Sequence, residues 1–305
     1  MSHYSLIVPN ALIGRAHEAA VLEQRLRRAV SGEAQVALLE GETGIGKTCL
    51  LEEIAERASN LGLQVFWGAV EQLEHTRPFG VVAEALDLRP SSSDPARVHI
   101  ARLLVGGKDE EAEIQSFADA EPRIRYLILE AILELIENLA VKAPVLLVLE
   151  DLHWADSSSL LTLRVLARRL SHLSLVLLTS FRPWPHTSEF DAVMEGLVNQ
   201  GALHFQLNPL SDESVDALVA ALMGAAPSEN LREQLRRAKG NPLFLIEICR
   251  ALDSEGLLKF VDGRVEMRPV NLPQSLNLIL LRRLSYLPKD TLQNVAGSVG
   301  VGIKL

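Results

Sequence analysis

A run of glycines that ends in a lysine and a threonine is the first feature of this sequence that predicts chemistry. In order, it reads Gly41, Glu42, Thr43, Gly44, Ile45, Gly46, Lys47 and Thr48. The spacing fits the pattern G-x-x-x-x-G-K-[ST], in which glycines allow backbone N–H groups to turn inward around phosphates. The ammonium of Lys47 can neutralise the β- and γ-phosphates, and the Thr48 hydroxyl can ligate Mg²⁺. We therefore predict that these residues, with Cys49 directly after them, bind a nucleoside triphosphate.

Two adjacent acidic residues follow a strongly apolar segment later in the chain. Residues 145–149 are valines and leucines only, and Glu150 and Asp151 come directly after them. A carboxylate at the carboxyl end of a parallel strand faces the ligand crevice of an open α/β sheet. There it can hold Mg²⁺ or orient the attacking water in phosphoryl transfer. The usual order of such a pair places Asp first, so the sequence leaves open which acid ligates the metal and which orients the water.

The secondary structure predicted around these residues alternates between strands and helices. Strands are predicted at residues 35–39, 63–67, 145–149, 173–179 and 204–207. Helices are predicted at residues 18–30, 47–58, 121–139, 158–170 and 190–198. Residues 35–39 lead directly into the glycine-rich segment, which gives the order of strand, loop and helix that a phosphate site needs. The alternation predicts a doubly wound parallel α/β sheet.

The remaining segments predict one insertion and two smaller regions. Residues 90–109 carry prolines, serines and paired glycines around a short helix, and we expect them to form a surface insertion. Helical patterns at 212–223, at 228–239 and from 242 onward predict a small helical domain. A hairpin is expected around Asp262 and Gly263, followed by a helix at 275–286. We therefore predict domains at residues 1–208, 209–257 and 258–305.

Composition and charge narrow the class of protein. The 305 residues are 48% hydrophobic, which is enough for two domains with sizeable cores. The net charge of −9 argues against an extended basic surface for nucleic acid. Cys49 and Cys249 lie far apart and outside any metal-ligand spacing, so we expect two buried thiols and no zinc site. We expect no membrane span and no export signal, and hence a cytoplasmic location.

The residues around the acidic pair resemble a known family. The run Leu149-Glu150-Asp151-Leu152-His153-Trp154-Ala155-Asp156 resembles a signature of the signal-transduction ATPases with numerous domains, the STAND group. Further segments are similar to motifs of these proteins and of their large LuxR-type members, namely residues 14–18 (GRAHE), 77–82 (RPFGVV), 179–183 (TSFRP) and 240–244 (GNPLF). The resemblance covers nearly the whole chain.

The resemblance implies a fold and a set of roles. The fold is a P-loop NTPase sheet of strand order 5-1-4-3-2, followed by a helical lid and the start of a winged-helix domain. Arg182 would lie near the γ-phosphate, Pro242 near the adenine, and Arg15 beside the base or a phosphate. Catalysis would then involve Lys47, Glu150, Asp151 and Arg182, with Mg²⁺ at Thr48, Glu150 and Asp151.

The resemblance also implies a switch and its partners. ATP and ADP would favour different arrangements of the domains, and hydrolysis would be slow. In a LuxR-type transcriptional regulator we expect a small-molecule or protein inducer and nucleotide-dependent self-association. Contact with DNA is expected only through regions outside these 305 residues.

Two other functions fit the same motifs. One is an AAA-type mechanochemical ATPase that assembles on DNA, and the other is a nucleotide-binding remnant without an output domain. The roles implied by the resemblance also have ordinary alternatives. For Arg15 and Arg182 the alternative is an exposed surface charge. For residues 240–242 it is a helix end followed by a proline that starts the next helix.

Overall fold

The apolar segments predicted as strands form one sheet. The computed structural model describes residues 12–70, 77–105, 117–169 and 172–268, and it divides into two compact units. The α/β unit comprises residues 17–41 and 48–206. Its strands are β1 (Gln35–Glu40), β2 (Gln64–Ala69), β3 (Val145–Glu150), β4 (Leu175–Phe181) and β5 (Leu203–Gln206). They are all parallel and run in the order β2-β3-β4-β1-β5, which confirms the predicted order 5-1-4-3-2.

Burial in this sheet increases toward its centre. Every residue of β3 and β4 is buried, whereas the edge strand β5 alternates between half-buried and exposed positions. A strand covered on both faces needs apolar side chains in every position, and this explains the unbroken run of valines and leucines in β3. The helices are α1 (Ala16–Val30), α2 (Lys47–Asn60), α3 (Gly80–Ala85), α4 (Pro95–Val105), α5 (Phe117–Lys142), α6 (Ser157–Arg169) and α7 (Ser188–Asn199).

The segment predicted as a surface insertion contributes to the core. Ile100 of α4 is 1% exposed and belongs to the same apolar cluster as Ile132 of α5. The prediction of a surface insertion is therefore wrong for α4, because its apolar positions face α5. The short helix α3 was not predicted. A Cβ atom at Gly68 of β2 would lie 2.4 Å from the carbonyl oxygen of Val81, so this glycine allows α3 to approach the sheet closely.

The second unit is mainly helical. Its described residues are 12–16, 42–47 and 207–268, and we call it the helical unit. It contains α8 (Asp212–Met223), β6 (Ala226–Pro227), α9 (Glu229–Leu235), α10 (Pro242–Ser254), β7 (Leu258–Val261) and β8 (Arg264–Met267). The predicted hairpin is present as β7 and β8, and Val265 of β8 is completely buried in one cluster with Leu231 and Leu252.

Part of the predicted organisation lies outside the described residues. This applies to the helix expected at 275–286 and to the winged-helix region beyond residue 268. The domain boundaries at 208 and 257 therefore stay predictions. Within the described part of the chain, none of the helices combines the length and the apolarity needed to span a bilayer.

Candidate nucleotide-binding site

The glycine-rich segment 41–48, which we call the phosphate loop, connects β1 to α2. Gly44 and Gly46 have φ angles of +75° and +101°, in the region that side chains rarely adopt. At Gly44 there is also no space, because a Cβ atom would lie 2.5 Å from the Cβ of Leu243. The last two residues of the loop, Lys47 and Thr48, are the first residues of α2, so the free N–H groups of a helix start belong to the loop. This backbone is suited to bind an anion.

Lys47 provides the positive charge of the loop. Its side chain is largely buried, with the residue 7% exposed, and its ammonium donates a hydrogen bond to the carbonyl oxygen of Glu42 at 3.1 Å. The Lys47 ammonium therefore lies against the backbone of the loop in which it is predicted to neutralise phosphate charge.

The Thr48 hydroxyl contacts the first of the two acids. It donates a hydrogen bond to a carboxylate oxygen of Glu150, which is 9% exposed at the end of β3. A hydroxyl and a carboxylate are the hard oxygen donors that Mg²⁺ prefers, and Mg²⁺ usually takes only one or two protein ligands beside phosphate oxygens and water. The donor set at Thr48 and Glu150 therefore fits the metal that the sequence predicts.

Asp151 has different surroundings from Glu150. Its backbone is left-handed, with a φ angle of +55°, and its N–H donates to the hydroxyl of Ser180 on β4 at 3.2 Å. Its carboxylate is one-third exposed and lies 3.8 Å from Nδ1 of the buried His153. The two adjacent acids therefore have different neighbours, Thr48 for Glu150 and His153 for Asp151. This difference is compatible with one acid holding the metal and the other orienting the water.

Asp156 is a residue whose importance the sequence did not reveal. Its carboxylate accepts hydrogen bonds from the backbone N–H groups of Phe79 and Gly80 at 2.9 and 3.1 Å. It also accepts from the backbone N–H groups of Ser158 and Ser159 at the start of α6. One carboxylate thus fixes α3, α6 and the loop after the acidic pair. The run Asp156-Ser157-Ser158-Ser159 before a helix was the available signal, because Asp is a preferred N-cap residue.

Arg182 follows the end of β4 directly and is half-buried. Its guanidinium Nε has no hydrogen-bond partner among the described residues. The sheet brings it to the same carboxyl edge as the acids, since β3 and β4 are parallel neighbours. Its place beside a γ-phosphate stays a prediction.

Arg15 is not an exposed charge. It is 5% exposed, and its guanidinium donates to the carbonyl oxygens of Ile45 at 3.1 Å and Asn208 at 2.6 Å. The alternative of a surface arginine is therefore wrong, and Arg15 lies against the phosphate loop. Its implied contact with a base or phosphate stays a prediction.

Pro242 occupies the first turn of α10, and Asn241 before it caps the helix. The alternative prediction, that a proline at residue 242 starts a helix, is therefore confirmed, whereas the role of Pro242 beside adenine stays a prediction. Asn241 itself was missed. It is 2% exposed, and its amide donates to the carbonyl oxygen of Thr43 at 2.9 Å.

The two cysteines differ from each other. Cys249 is buried as expected, and burial raises the pKa of its thiol to about 12. Cys49 is exposed, which corrects the prediction of two buried thiols, because it lies on an open face of α2. Partial burial of the thiol itself, and then the charge of Glu52, raise the pKa of Cys49.

Comparisons with known proteins place this geometry in context. An uncharacterised protein of Rhizobium meliloti (strain 1021) is 26% identical over 291 residues, which cover 87% of this chain and 26% of the relative. The chain thus spans about a quarter of the length of that relative.

Solved structures with a similar fold include proteins of Aeropyrum pernix and Pyrobaculum aerophilum. The ADP form of ORC2 from Aeropyrum pernix has a TM-score of 0.55 at 15% identity, over 98% of this chain and 78% of that one. ORC1 of the same organism, in complex with DNA, has a TM-score of 0.54 at 15% identity, over 99% and 82%. Cdc6p from Pyrobaculum aerophilum has a TM-score of 0.53 at 16% identity, over 83% and 66%.

At these identities the structural likeness shows the fold alone. The family is shown by the sequence, because the AAA ATPase domain family matches residues 11–178, more than half of the chain. With its phosphate loop between β1 and α2, this protein therefore belongs to the AAA ATPase domain family and carries an ATP-binding domain.

Proposed function

We propose that this chain binds MgATP at the phosphate loop and acts as a slow nucleotide-dependent switch of the STAND group, in a LuxR-type transcriptional regulator. The contact between Thr48 and Glu150 is the observation that carries the proposal. It pairs the hydroxyl of the loop with an acid at the end of β3, as nucleotide hydrolysis requires. The STAND and LuxR assignment is supported by the motifs at residues 14–18, 149–156 and 240–244.

The proposed chemistry is transfer of the γ-phosphoryl group to water. Lys47 neutralises charge on the β- and γ-phosphates, and Thr48 and Glu150 hold Mg²⁺. Bound there, Mg²⁺ would neutralise charge on the phosphate oxygens. Asp151 orients the water by accepting a hydrogen bond from it. The water oxygen bonds to the γ-phosphorus as the bond from that phosphorus to the ADP oxygen breaks, and the proton of the water passes to the Asp151 carboxylate. Arg182 stabilises the negative charge on the transferred group.

The proposed switch rests on the contact between the phosphate loop and the start of α10, where the N–H of Leu243 donates to the carbonyl oxygen of Gly44. Residues 42–47 belong to the helical unit, together with α10. A ligand shifts a conformational equilibrium only when it binds the two states differently. We propose that the γ-phosphate makes this difference through the loop, and that an inducer biases the same equilibrium.

Binding at the loop is tested with Lys47→Ala. We expect ATP affinity to fall at least about 100-fold, because a buried cation that faces phosphates is removed. Lys142→Ala is the matched control, since Lys142 is exposed in the last turn of α5. Calorimetric titration with MgATP gives both affinities, and circular dichroism verifies folding. Unchanged ATP affinity in Lys47→Ala would contradict the assignment of the phosphate loop as the ATP-binding site.

The switch is tested by the nucleotide that accompanies the native protein. Native mass spectrometry of the protein as purified should detect bound ADP, which is the expected ligand of a latent switch. Hydrogen exchange of α8 and α10 should then differ between the ADP and ATP forms. Identical exchange in the two forms would contradict a switch and leave ATP binding intact.

A second candidate is a mechanochemical ATPase that acts on DNA. It is favoured by the likeness of fold to ORC1 of Aeropyrum pernix, whose structure is in complex with DNA. The net charge of −9 opposes it. Hydrolysis measured against protein concentration, with and without duplex DNA, separates the two functions. Steep stimulation supports the mechanochemical enzyme, and a slow rate that is independent of concentration supports the switch.

A further inference from the structure

Three consecutive carbonyl groups of the phosphate loop are bound by residues from outside it. The Thr43 oxygen accepts from the side-chain amide of Asn241 at 2.9 Å. The Gly44 oxygen accepts from the backbone N–H of Leu243 at 3.2 Å. The Ile45 oxygen accepts from the guanidinium of Arg15 at 3.1 Å. All of these residues belong to the helical unit, so this arrangement is internal to it.

Asn241 joins the loop to the start of α10 through the two polar atoms of its side-chain amide. Its Oδ1 accepts from the N–H groups of Leu243 and Phe244 at 3.1 and 3.4 Å, while its Nδ2 donates to Thr43. Aspartate would keep the helix cap but has no side-chain donor for Thr43. Serine would keep the cap too, but its single hydroxyl takes the place of the capping oxygen and lies nearer the backbone than the Asn241 amide nitrogen. The amide is therefore required by the loop and not by the helix.

Arg15 acts on the same loop from another segment. Its guanidinium bridges the carbonyl oxygens of Ile45 and Asn208, two residues that are far apart in the sequence. The neighbouring Gly14 has a φ angle of +72°, and a Cβ atom there would lie 2.7 Å from Oγ of Ser214. The chain before α1 thus packs closely against α8, and this packing sets the position of Arg15.

These contacts determine which way the loop presents its backbone. A phosphate is bound by N–H groups that converge on it, and carbonyl oxygens that turned toward it would repel it. Carbonyl groups that are already bound on the outside cannot turn inward without breaking a hydrogen bond. The buried donors Asn241 and Arg15 therefore preorganise the loop for an anion.

On the basis of the proposed function, we propose that Asn241 and Arg15 are positioning residues. They keep the phosphate loop in the conformation that binds ATP, and they couple ATP binding at the loop to α10. Their proposed action is through the backbone carbonyl groups of Thr43 and Ile45. Because coupling is reciprocal, bound ATP should in turn stabilise the contacts at the start of α10.

The test uses Asn241→Asp and Asn241→Ser in the full chain. Both variants keep an N-cap acceptor and remove the amide nitrogen that donates to Thr43. We expect each to bind MgATP about tenfold more weakly, the effect of losing one positioning hydrogen bond. Asn241→Ser controls for the charge that Asp introduces, and Asn199→Asp, on an exposed position of α7, controls for the added charge elsewhere.

A second readout separates positioning from ordinary stability. Thermal melting without nucleotide should fall in Asn241→Ser and further in Asn241→Asp, since a buried carbonyl loses its donor, and the rise in melting temperature on adding ATP should also shrink. Arg15→Lys keeps the charge, but its shorter side chain lacks the Nη2 atom that donates to both Ile45 and Asn208, so it should weaken ATP binding in the same direction. Lower melting with unchanged ATP affinity of the folded protein would overturn the inference.

The failure of this inference is distinct from failure of the proposed function. If the wild-type protein does not bind ATP, the proposed function fails. If the wild type binds ATP, Lys47→Ala does not, and the Asn241 variants bind like the wild type, only the positioning role is refuted.

Discussion

The hydroxyl of Thr48 donates a hydrogen bond to the carboxylate of Glu150, and this contact joins the first turn of α2 to the end of β3. The carboxylate of the next residue, Asp151, lies instead near His153 and is one-third exposed. Because the two acids have different neighbours, their roles can be separated by experiment. We propose that Glu150 holds the metal and that Asp151 orients the water.

Glu150→Gln and Asp151→Asn should therefore have different effects. Glu150→Gln should remove most of the difference in ATP affinity between Mg²⁺ and EDTA, because a charged oxygen ligand is lost. Asp151→Asn should keep that difference and lower hydrolysis about 100-fold or more. Titration and single-turnover hydrolysis measure the two effects, and Glu56→Gln on an exposed position of α2 is the control. The opposite pattern would exchange the two roles.

Gly44→Ala should destabilise the protein more than Gly224→Ala does. Both glycines have a φ angle of +75°. A Cβ atom at Gly224 would lie in open space, whereas a Cβ atom at Gly44 would collide with Leu243. We expect Gly224→Ala to lower the free energy of unfolding by about 1 kcal/mol from backbone strain alone. Gly44→Ala should lower it by about 2–4 kcal/mol and abolish ATP binding. Equal values in urea denaturation would show that the close approach is unimportant.

Asp156→Ala should destabilise the α/β unit by about 2–3 kcal/mol. It leaves the backbone N–H groups of Phe79 and Gly80, and those of the first turn of α6, without their acceptor. Asp94→Ala is a suitable comparison, because the Asp94 carboxylate accepts from the N–H of Ala96 at an exposed helix start and pairs with Arg97 at 3.8 Å, and we expect about 1 kcal/mol. Urea denaturation followed by circular dichroism gives both values. An effect at Asp156 no larger than that at Asp94 would refute the central role of this carboxylate.

One thiol per chain should react with iodoacetamide in the native state. Cys249 is buried and its pKa is raised to about 12, so we expect alkylation only after unfolding. Cys49 is exposed, but its pKa is also raised, so little thiolate is present at neutral pH and its rate should increase toward alkaline pH. Mass spectrometry at pH 7 and pH 9 counts the modified thiols, with Cys249→Ser to assign them. Rapid native alkylation of Cys249 would contradict its position in the core.

The fold was predictable where a local pattern was sufficient. The apolar run in β3 and the alternation of strands and helices predicted the sheet, and the confirmed strand order was implied by the family resemblance. The helix α3 escaped prediction because it is short and depends on a close approach to Gly68, which no local pattern encodes. The core position of α4 was missed because a helix with only two buried residues, Ile100 and Ala101, has a weak apolar stripe.

The sequence by itself determined the phosphate loop, because glycine, lysine and threonine at fixed spacing encode a backbone and a charge within eight residues. Only the tertiary structure decided what holds that loop in position. Asn241 is 198 residues from Thr43, and Arg15 is 30 residues from Ile45. Hydrogen bonds over such distances depend on how the helical unit packs, since a buried donor takes whichever carbonyl the fold presents to it.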